Sequence, residues 1–535
     1  MAVPTIPQTY PNHLALAQPE RLDVRPVPWL LTLLVLLCLV PRITMALRIP
    51  SVCPDGVLYI QMAQTIEAGN LRAALHDMDL NVYPFVLAGL HKLGLDWEMA
   101  AAVWGVTIAS LVVLPLFGWV RRQFDDRVAV VACLLYAVNP KMIEWSPEVM
   151  RDPTFWFLFT LSLYWLWRAV TEVHLGYFTA AGGAVLLSAM TRIEGLFLLI
   201  PLMLWTFWRL LALRCDRRRL LLGVVLCVFV FPLLLLVVNL LWLSGRAGWT
   251  LPRFDPLARV QPWLQAVLGH ASHDSVGEAA SRPLGVGRML WVFFPTMTRG
   301  LSPVFALLMF AGMLSRWRVW LRRDHQPLFY AAALVMCGIW VQLWYDKTIC
   351  PRYALPIVLM ASPWAAIGVF WLIGRLQWAA ERLRGSPMKR PTAIVASVAA
   401  VIVGISLLDT IVSNGKYFRT RQMANDLGCW MRQELPAEST LVGPVGDTPI
   451  VSYYANQKPY ETFRWEDGDD LIVMLVQRRA SPVVLLRPAK ELTPARCEAL
   501  VQRLQTVGLQ PLDPSRLPAT CRGVWVLLKS DGRPI

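Results

Sequence analysis

Long apolar runs separated by short polar segments fill the first 413 residues of the chain. A membrane-spanning helix needs about 20 consecutive apolar residues, and eleven runs are close to that length. They lie at residues 28–47, 98–120, 128–146, 153–170, 176–191, 193–212, 220–243, 297–315, 328–345, 353–374 and 392–413. The pattern therefore predicts a polytopic α-helical membrane protein with about eleven transmembrane helices.

Three polar segments are too long to be simple turns: residues 48–97, residues 244–296 and the tail from 414. The composition changes abruptly at the tail, where apolar and polar positions alternate as in a small soluble α/β domain. Its predicted helices are Asn425–Gln433 and Pro494–Val507, and its predicted strands are Thr440–Val445, Leu471–Val476, Pro482–Leu486 and Gly523–Leu528. We thus predict a terminal tail (1–27), a transmembrane module (28–413) and a C-terminal domain (414–535).

Basic residues predict the orientation in the membrane. Arginine clusters follow the second, sixth, eighth and tenth apolar runs, starting at Arg121, Arg214, Arg316 and Arg375. Because lysine and arginine accumulate on the cytoplasmic side, a cytoplasmic N-terminus satisfies all four clusters. The first run lacks the combination of a basic n-region and a small-residue cleavage site that marks a signal peptide, so it is expected to remain as an anchor. With eleven spans in the cell (inner) membrane, the long segments and the C-terminal domain are extracytoplasmic.

The composition agrees with a membrane location. Apolar residues make up 56% of the 535 residues and charged residues only 16%, whereas soluble domains are about 25% charged. The net charge of +15 alone could indicate nucleic-acid binding. However, the basic residues lie in short clusters between apolar runs, so no nucleic-acid partner is expected. The cysteines form no CxxC pairs, and we predict neither a metal nor a cofactor.

Asp55 is the first residue with candidate chemistry. It lies in Pro54-Asp55-Gly56, just beyond the first apolar run, and Tyr59 follows at helical spacing. A carboxylate at the membrane surface can act as a general base on an incoming hydroxyl group, because partial desolvation raises its basicity. An N-cap role for Asp55 is the alternative, and spacing alone favours it.

A second acidic cluster follows the third apolar run. It comprises Glu144, Glu148 and Asp152, with Arg151 among them. Carboxylates beside a membrane are costly unless they are paired or functional. Arg151 can pair with one of them, and Asp152 before Pro153 is also a good helix start, so both interpretations stay open.

Candidate basic residues lie near the ends of other apolar runs. Arg352, with Lys347 just before it, could hold a phosphate group bidentately, and Arg299 has the same possibility. Arginines at span ends also commonly extend to the interface without a ligand. His76, ahead of Tyr83, could bind a metal or an acceptor, or lie in a solvated loop. No GxGxxG, Walker or GxSxG motif supports nucleotide hydrolysis or serine catalysis.

Several short motifs occur in a fixed order over residues 29–375. They are Asp55-x-x-x-Tyr59-x-x-x-Ala63 with Gly69, Tyr83-Pro84-Phe85, the stretch from Gly94 through Arg121-Arg122-Gln123-Phe124 to Asn139-Pro140, Ser146 to Asp152, Thr191-Arg192, and Arg352-Tyr353-Ala354-Leu355-Pro356. Together they resemble the GT-C superfamily of integral-membrane glycosyltransferases. The most similar family is glycosyltransferase family 39, which contains the protein mannosyltransferases and the bacterial aminoarabinose transferase.

The resemblance implies a GT-C fold and an inverting transfer on the extracytoplasmic face. The implied donor is a polyprenyl-phosphate sugar, and the implied acceptor is a hydroxyl group on a glycan, a lipid or a protein. Asp55 takes the place of the expected catalytic residue, and Arg352 that of the residue that holds the donor phosphate. The predicted site residues are Asp55 and Asp152 as catalytic residues, Arg352, Lys347 and Arg299 at the donor phosphate, and Tyr59, Glu148, Arg151, His76 and Tyr83 at the substrate.

One position departs from the family pattern. Many members have a second acid directly after the first-loop aspartate, and here that residue is Gly56. A single carboxylate holds a divalent cation poorly, which argues against a metal. A transporter or flippase of polyprenyl-linked sugars is the main alternative function, although the acids lie at span ends and not near the midplane. A non-catalytic assembly or sensor protein is the third alternative.

Overall fold

The computed structural model describes residues 28–49, 51–71, 73–74, 81–211, 216–230, 233, 286–346, 349–386, 392–436, 438–465, 468–487 and 493–529. The described α-helices of six or more residues before the C-terminal sheet are α1 Pro28–Ala46, α2 Pro54–Glu67, α3 Val82–Lys92, α4 Trp97–Leu111, α5 Val113–Gln123, α6 Asp126–Ala137, α7 Pro140–Trp145, α8 Asp152–Glu172, α9 Leu175–Thr191, α10 Leu199–Leu211, α11 Arg217–Val225, α12 Val286–Leu301, α13 Pro303–Ser315, α14 Gln326–Asp346, α15 Leu355–Arg384 and α16 Thr392–Glu434. A polytopic helical membrane protein is thus confirmed.

The number of spans predicted from the sequence, eleven, is not confirmed. In the described part of the chain, six helical segments are long and apolar enough to cross a membrane: Pro28–Ala46, Trp97–Gln123, Ile193–Leu211, Gln326–Trp344, Pro351–Arg384 and Thr392–Ile411. The run at 297–315, predicted as one helix, is instead two helices that meet at about a right angle, 90°. Ser302 has a positive φ of 70° there, and Pro303 begins the second helix, where its missing N–H costs no hydrogen bond.

The division between the apolar runs 176–191 and 193–212 is a real break. Helix α9 ends at Thr191, and a 3₁₀ turn at Ile193–Leu198 leads into α10. Between them Arg192 has an extended backbone, with φ −148° and ψ 135°. The two apolar runs are therefore separate elements, as the sequence predicted.

The two ends of the helical bundle differ in their polar residues. At one end, Gln123 and Trp205 both donate a side-chain hydrogen bond to the carbonyl of Asp324. This end thus gathers the arginines around residues 121–127 and 316–323. Helix α14 starts beside Asp324 and runs for 21 residues towards the segment that carries Arg352. Arg352 and the basic clusters therefore lie at opposite ends of the bundle.

Helix α16 joins the membrane part to the C-terminal domain without interruption. It has 43 residues, which corresponds to a length of about 65 Å, roughly twice the hydrocarbon thickness of a bilayer. The helix predicted at Asn425–Gln433 is the final part of α16. The predicted boundary between residues 413 and 414 therefore falls inside a continuous helix.

The C-terminal domain contains a five-stranded mixed sheet. Its strands are β1 Thr440–Pro444, β2 Tyr460–Phe463, β3 Pro482–Leu486, β4 Leu509–Pro511 and β5 Trp525–Lys529, and its helices are α17 Thr448–Tyr454, α18 Asp469–Gln477 and α19 Pro494–Gln505. The spatial order is β2-β1-β3-β5-β4, with β1 parallel to β2 and β3 and with β5 antiparallel to β3 and β4. This confirms the small α/β domain.

One predicted strand of this domain is wrong. Leu471–Val476 lies within helix α18, where Ile472 and Val476 are buried and the residues between them are less so. Their spacing of four places both side chains on one helical face. Asp469 and Asp470 in the first turn favour the helix further through its dipole.

The hydrophobic core does not divide at the boundary between membrane part and C-terminal domain. One continuous cluster of buried side chains includes Val57 and Ile60 of α2 together with Leu427 of α16 and Val451 of α17. The C-terminal domain therefore packs directly on the segment that carries Asp55.

Gly312 of α13 and Gly368 of α15 allow these two helices to pack closely, and a Cβ atom on Gly312 would lie 1.9 Å from the carbonyl oxygen of Trp364. A Cβ atom on Gly368 would lie 1.9 Å from the carbonyl oxygen of Leu308, whereas one on Gly374 of the same helix would meet no atom within 4 Å. We expect Gly368→Ala to lower the free energy of unfolding by about 1–3 kcal/mol, because the helices must separate. Thermal unfolding in detergent measures this, with Gly374→Ala as the matched control. Equal stability of the two variants would contradict the packing.

Candidate active site

Asp55 lies in the first turn of α2, but it is not the helix cap. Cys53 is the N-cap residue, and its Sγ accepts a hydrogen bond from the Gly56 amide at 3.2 Å. The Asp55 carboxylate is instead free to face outward, with 42% of its side chain exposed. It accepts a hydrogen bond from Nη2 of Arg352 at 2.5 Å. The N-cap interpretation of Asp55 is therefore wrong.

Gly56 has a steric role that accounts for the missing second acid. A Cβ atom at this position would lie 2.7 Å from Cβ and 2.9 Å from the carbonyl oxygen of Val149. Val149 belongs to the loop 146–151, which connects α7 to α8 and packs on the start of α2. A larger residue at 56 would push this loop away from Asp55.

Arg352, which pairs with Asp55, comes from a distant part of the chain. It lies in a 3₁₀ turn, Pro351–Ala354, that precedes α15. Its guanidinium contacts Met150 Sδ at 3.0 Å and lies 5.9 Å from the ring centroid of Trp145 and 5.5 Å from that of Tyr353. These contacts orient the arginine and leave 15% of its side chain exposed.

A second ion pair lies deeper in the site. Asp152 accepts a hydrogen bond from Nη1 of Arg192 at 2.6 Å, and both side chains are nearly fully buried. The same guanidinium pairs with Glu194 and lies 5.3 Å from the ring centroid of Tyr353. Asp152, predicted as a catalytic residue, is thus held in a buried ion pair, whereas Asp55 is more exposed.

Tyr59 lies among the charged groups of the site. The side chains that act on it electrostatically are Arg151, Asp55, Asp152 and Arg352. Burial raises the pKa of Tyr59 to about 12, so its hydroxyl group stays protonated at neutral pH. The residues predicted from distant parts of the sequence are therefore brought together around one tyrosine.

Tyr83 supports Tyr59 from behind. The two rings meet edge to face, with centroids 5.5 Å apart, and Tyr83 is completely buried. Burial also raises the pKa of Tyr83. Tyr83, predicted to lie at the substrate, is thus packed behind Tyr59 in this structure.

Two arginines from distant helices hold the loop 146–151. Arg42 of α1 donates from Nε to the Ser146 hydroxyl at 3.0 Å. Arg421 of α16 donates to both carboxylate oxygens of Glu148, at 2.5 and 2.8 Å. Glu148, predicted as a substrate contact, is 1% exposed and thus buried in an ion pair.

The remaining predicted residues lie elsewhere. Arg299 is exposed near the end of α12, and its neighbour Gly300 packs on Pro351. His76 and Lys347 fall outside the described residues. Within the described part of the chain, no group of three or more His, Cys, Asp or Glu side chains is placed to hold a metal ion.

The sequence did not predict the ion pairs that involve Arg192, Glu194 and Arg421. Arg192 and Glu194 interrupt two apolar runs, and charges in such a place are costly unless paired, so a partner could have been sought. Arg421 offers no such indication, because its partner Glu148 is 273 residues away.

Solved structures with a similar fold include ArnT and an oligosaccharyltransferase. Residues 81–242 match the family model of dolichyl-phosphate-mannose-protein mannosyltransferases. The fold is similar to ArnT from Cupriavidus metallidurans bound to undecaprenyl phosphate, with a TM-score of 0.58, 14% identity and coverage of 95% of this chain and 100% of that one. It is also similar to the oligosaccharyltransferase of Archaeoglobus fulgidus tethered with an acceptor peptide, with a TM-score of 0.56, 14% identity and coverage of 86% and 69%. No curated protein matches the sequence.

The structural similarity establishes the GT-C fold. Together with the family match over residues 81–242, it supports a membrane glycosyltransferase of the GT-C superfamily. The resemblance predicted from the sequence is confirmed at this level.

Proposed function

We propose that the protein transfers a sugar from a polyprenyl-phosphate donor to a hydroxyl acceptor, with Asp55 as the general base. The observation that carries this proposal is the pairing of an exposed carboxylate with an arginine at one end of the helical bundle. A donor with a long lipid tail needs a site at the bilayer surface. Polyprenyl phosphate bound to ArnT and an acceptor peptide on the oligosaccharyltransferase support such a pair of substrates for this fold.

The proposed reaction begins with competition between the donor phosphate and the Asp55 carboxylate for the guanidinium of Arg352. A donor phosphate would form stronger bidentate hydrogen bonds with this guanidinium than a single carboxylate oxygen does. Asp55 is then released to accept the proton of the acceptor hydroxyl group. The acceptor oxygen forms a bond to the anomeric carbon while the bond from that carbon to the phosphate oxygen breaks. The polyprenyl phosphate leaves with its negative charge stabilised by Arg352, and attack opposite to the leaving group inverts the configuration.

Further residues are proposed to contribute to these roles. Arg299, on the helix that packs against Pro351, and Lys347, just before the Arg352 turn, are proposed to add positive charge for the donor phosphate. Arg151 and Tyr59 are proposed to face the sugar, and His76 to approach the acceptor. Asp152 is proposed to act indirectly, by keeping Arg192 beside Tyr353.

The orientation in the cell (inner) membrane is part of the proposal. The arginine-rich end of the bundle near Asp324 would face the cytoplasm, as the positive-inside rule favours. The site and the C-terminal domain would then be extracytoplasmic. There nucleotide sugars are absent, which is why a lipid-linked donor is required.

Turnover of defined donors tests the proposed function. The purified protein in lipid is given a panel of polyprenyl-phosphate sugars, and release or transfer of the sugar is measured. We expect turnover of at least one donor by the wild type. If labelled donor crosses the bilayer of proteoliposomes without chemical change, the transporter alternative is supported and the proposed transfer is contradicted.

A further inference from the structure

We infer that the C-terminal domain positions both members of the Asp55–Arg352 pair, through Tyr454 and Arg421. This inference rests on the proposed function, because it concerns the geometry of the same site. The contacts that carry it are two polar connections from one domain, each ending next to a different member of the pair.

The first connection runs from Tyr454 to the start of α2. The Tyr454 hydroxyl accepts a hydrogen bond from the backbone amide of Val52 at 3.1 Å and donates to the Glu98 carboxylate, at 3.0 Å from each oxygen. Val52 is almost fully buried, so its amide has no access to water if this partner is lost. Cys53, the next residue, is the N-cap of α2 and sets the position of Asp55.

The second connection runs from Arg421 to the loop 146–151. The buried bidentate pair with Glu148 fixes the middle of this loop. The next residue, Val149, packs against Gly56, and the one after it, Met150, contacts the guanidinium of Arg352. Because Arg421 fixes the position of the loop, it also determines where the loop contacts Arg352 and the start of α2.

The two connections also meet each other. The Ser51 hydroxyl donates to the backbone carbonyl of Arg421 at 3.3 Å, directly before the amide that Tyr454 holds. Beneath them, the shared apolar core joins α2 to α16 and α17. Because a displacement of about 1 Å can reduce a reaction rate by about 100-fold, small shifts at this interface are sufficient to affect catalysis. We assign Tyr454, Arg421 and Glu148 as positioning residues.

The test separates positioning from stability by measuring kcat, KM for the donor and thermal unfolding of the full-length protein in lipid. Tyr454→Phe is the main variant, since it retains the ring and removes only the hydroxyl group. We expect its kcat to fall about tenfold or more with KM changed by less than about twofold. Tyr453→Phe, the same substitution at the adjacent residue, is the matched control and should retain wild-type kcat.

Removal of the buried charges gives a second, independent measurement. Glu148→Gln and Arg421→Gln are each expected to lower kcat, and the double variant no more than the worse single one, because the two residues act as a unit. Arg496→Gln, which breaks the Arg496–Asp469 pair inside the same domain, is the control and should leave kcat unchanged. If the charge variants do not fold, Tyr454→Phe decides alone.

Hydrogen–deuterium exchange over residues 51–57 reports the positioning without any turnover. We expect faster exchange in Tyr454→Phe than in the wild type and in Tyr453→Phe. Turnover by the wild type and its loss in Asp55→Asn would support the proposed function. If Tyr454→Phe nevertheless retains full kcat and unchanged exchange, the positioning inference is overturned while the proposed function stands. If wild type turns over no donor but exchange responds as expected, the proposed function fails and the mechanical link alone is supported.

Discussion

Replacement of Asp55 by asparagine is expected to lower the rate of sugar transfer by about 10²–10⁴-fold, the range that general bases contribute. Asparagine has nearly the same shape and can still accept a hydrogen bond from Arg352, but it cannot take up the acceptor proton. Donor affinity should change little, since the phosphate is held by the arginine. The measurement is single-turnover transfer from a radiolabelled polyprenyl-phosphate sugar at saturating acceptor.

Asp96→Asn is the matched control for this experiment. Asp96 is the N-cap of α4, where its side chain accepts a hydrogen bond from the amide of Met99 at 2.8 Å, and asparagine caps a helix as well as aspartate does. Wild-type transfer by Asp55→Asn, alongside wild-type transfer by Asp96→Asn, would exclude Asp55 as the base.

The second large effect is expected at Arg352. Arg352→Gln removes the charge that would hold the donor phosphate and stabilise it as it leaves, and loss of one such donor group typically costs about 10²–10³-fold in rate. In contrast to Asp55→Asn, this variant should also bind polyprenyl phosphate more weakly. Arg352→Lys should recover only part of the loss, since lysine keeps the charge but not the two parallel hydrogen bonds.

Binding of polyprenyl phosphate in nanodiscs, measured next to transfer rates, distinguishes the two roles. Arg375→Gln provides the control, because Arg375 lies in α15, the helix that follows the Arg352 turn, and its guanidinium is 5.4 Å from the ring centroid of Trp371. Unchanged lipid affinity in Arg352→Gln would place the phosphate elsewhere, with Arg299 as the next candidate.

Local patterns predicted most of the elements, because each was encoded in a short stretch of sequence. The run Pro482–Leu486 is a fully buried strand, as its unbroken apolar character indicates. The error at residues 471–476 arose because a short apolar run is compatible with a strand or a helix. The two aspartates just before it, Asp469 and Asp470, favour the helix. In the sequence, only the following residue, Pro303, indicated the break at Ser302.

Only those site residues that belong to family motifs were predictable from the sequence. The motifs around Asp55 and Arg352 indicated both residues, although they are 297 positions apart. No periodicity could pair Glu148 with Arg421, because each lies in an ordinary polar context and the pair forms only in three dimensions. The steric reason for Gly56 also depended on seeing Val149 against it.

The hydrogen bond between Val52 and Tyr454 has a consequence for biosynthesis. These residues are 402 positions apart, and at about 5–20 residues per second the ribosome needs about 20–80 s to make the intervening chain. The start of α2 therefore waits without its partner until Tyr454 has been synthesised. The nascent polypeptide can complete this contact only after Tyr454 has emerged from the ribosome, so the order of synthesis itself delays assembly of the site.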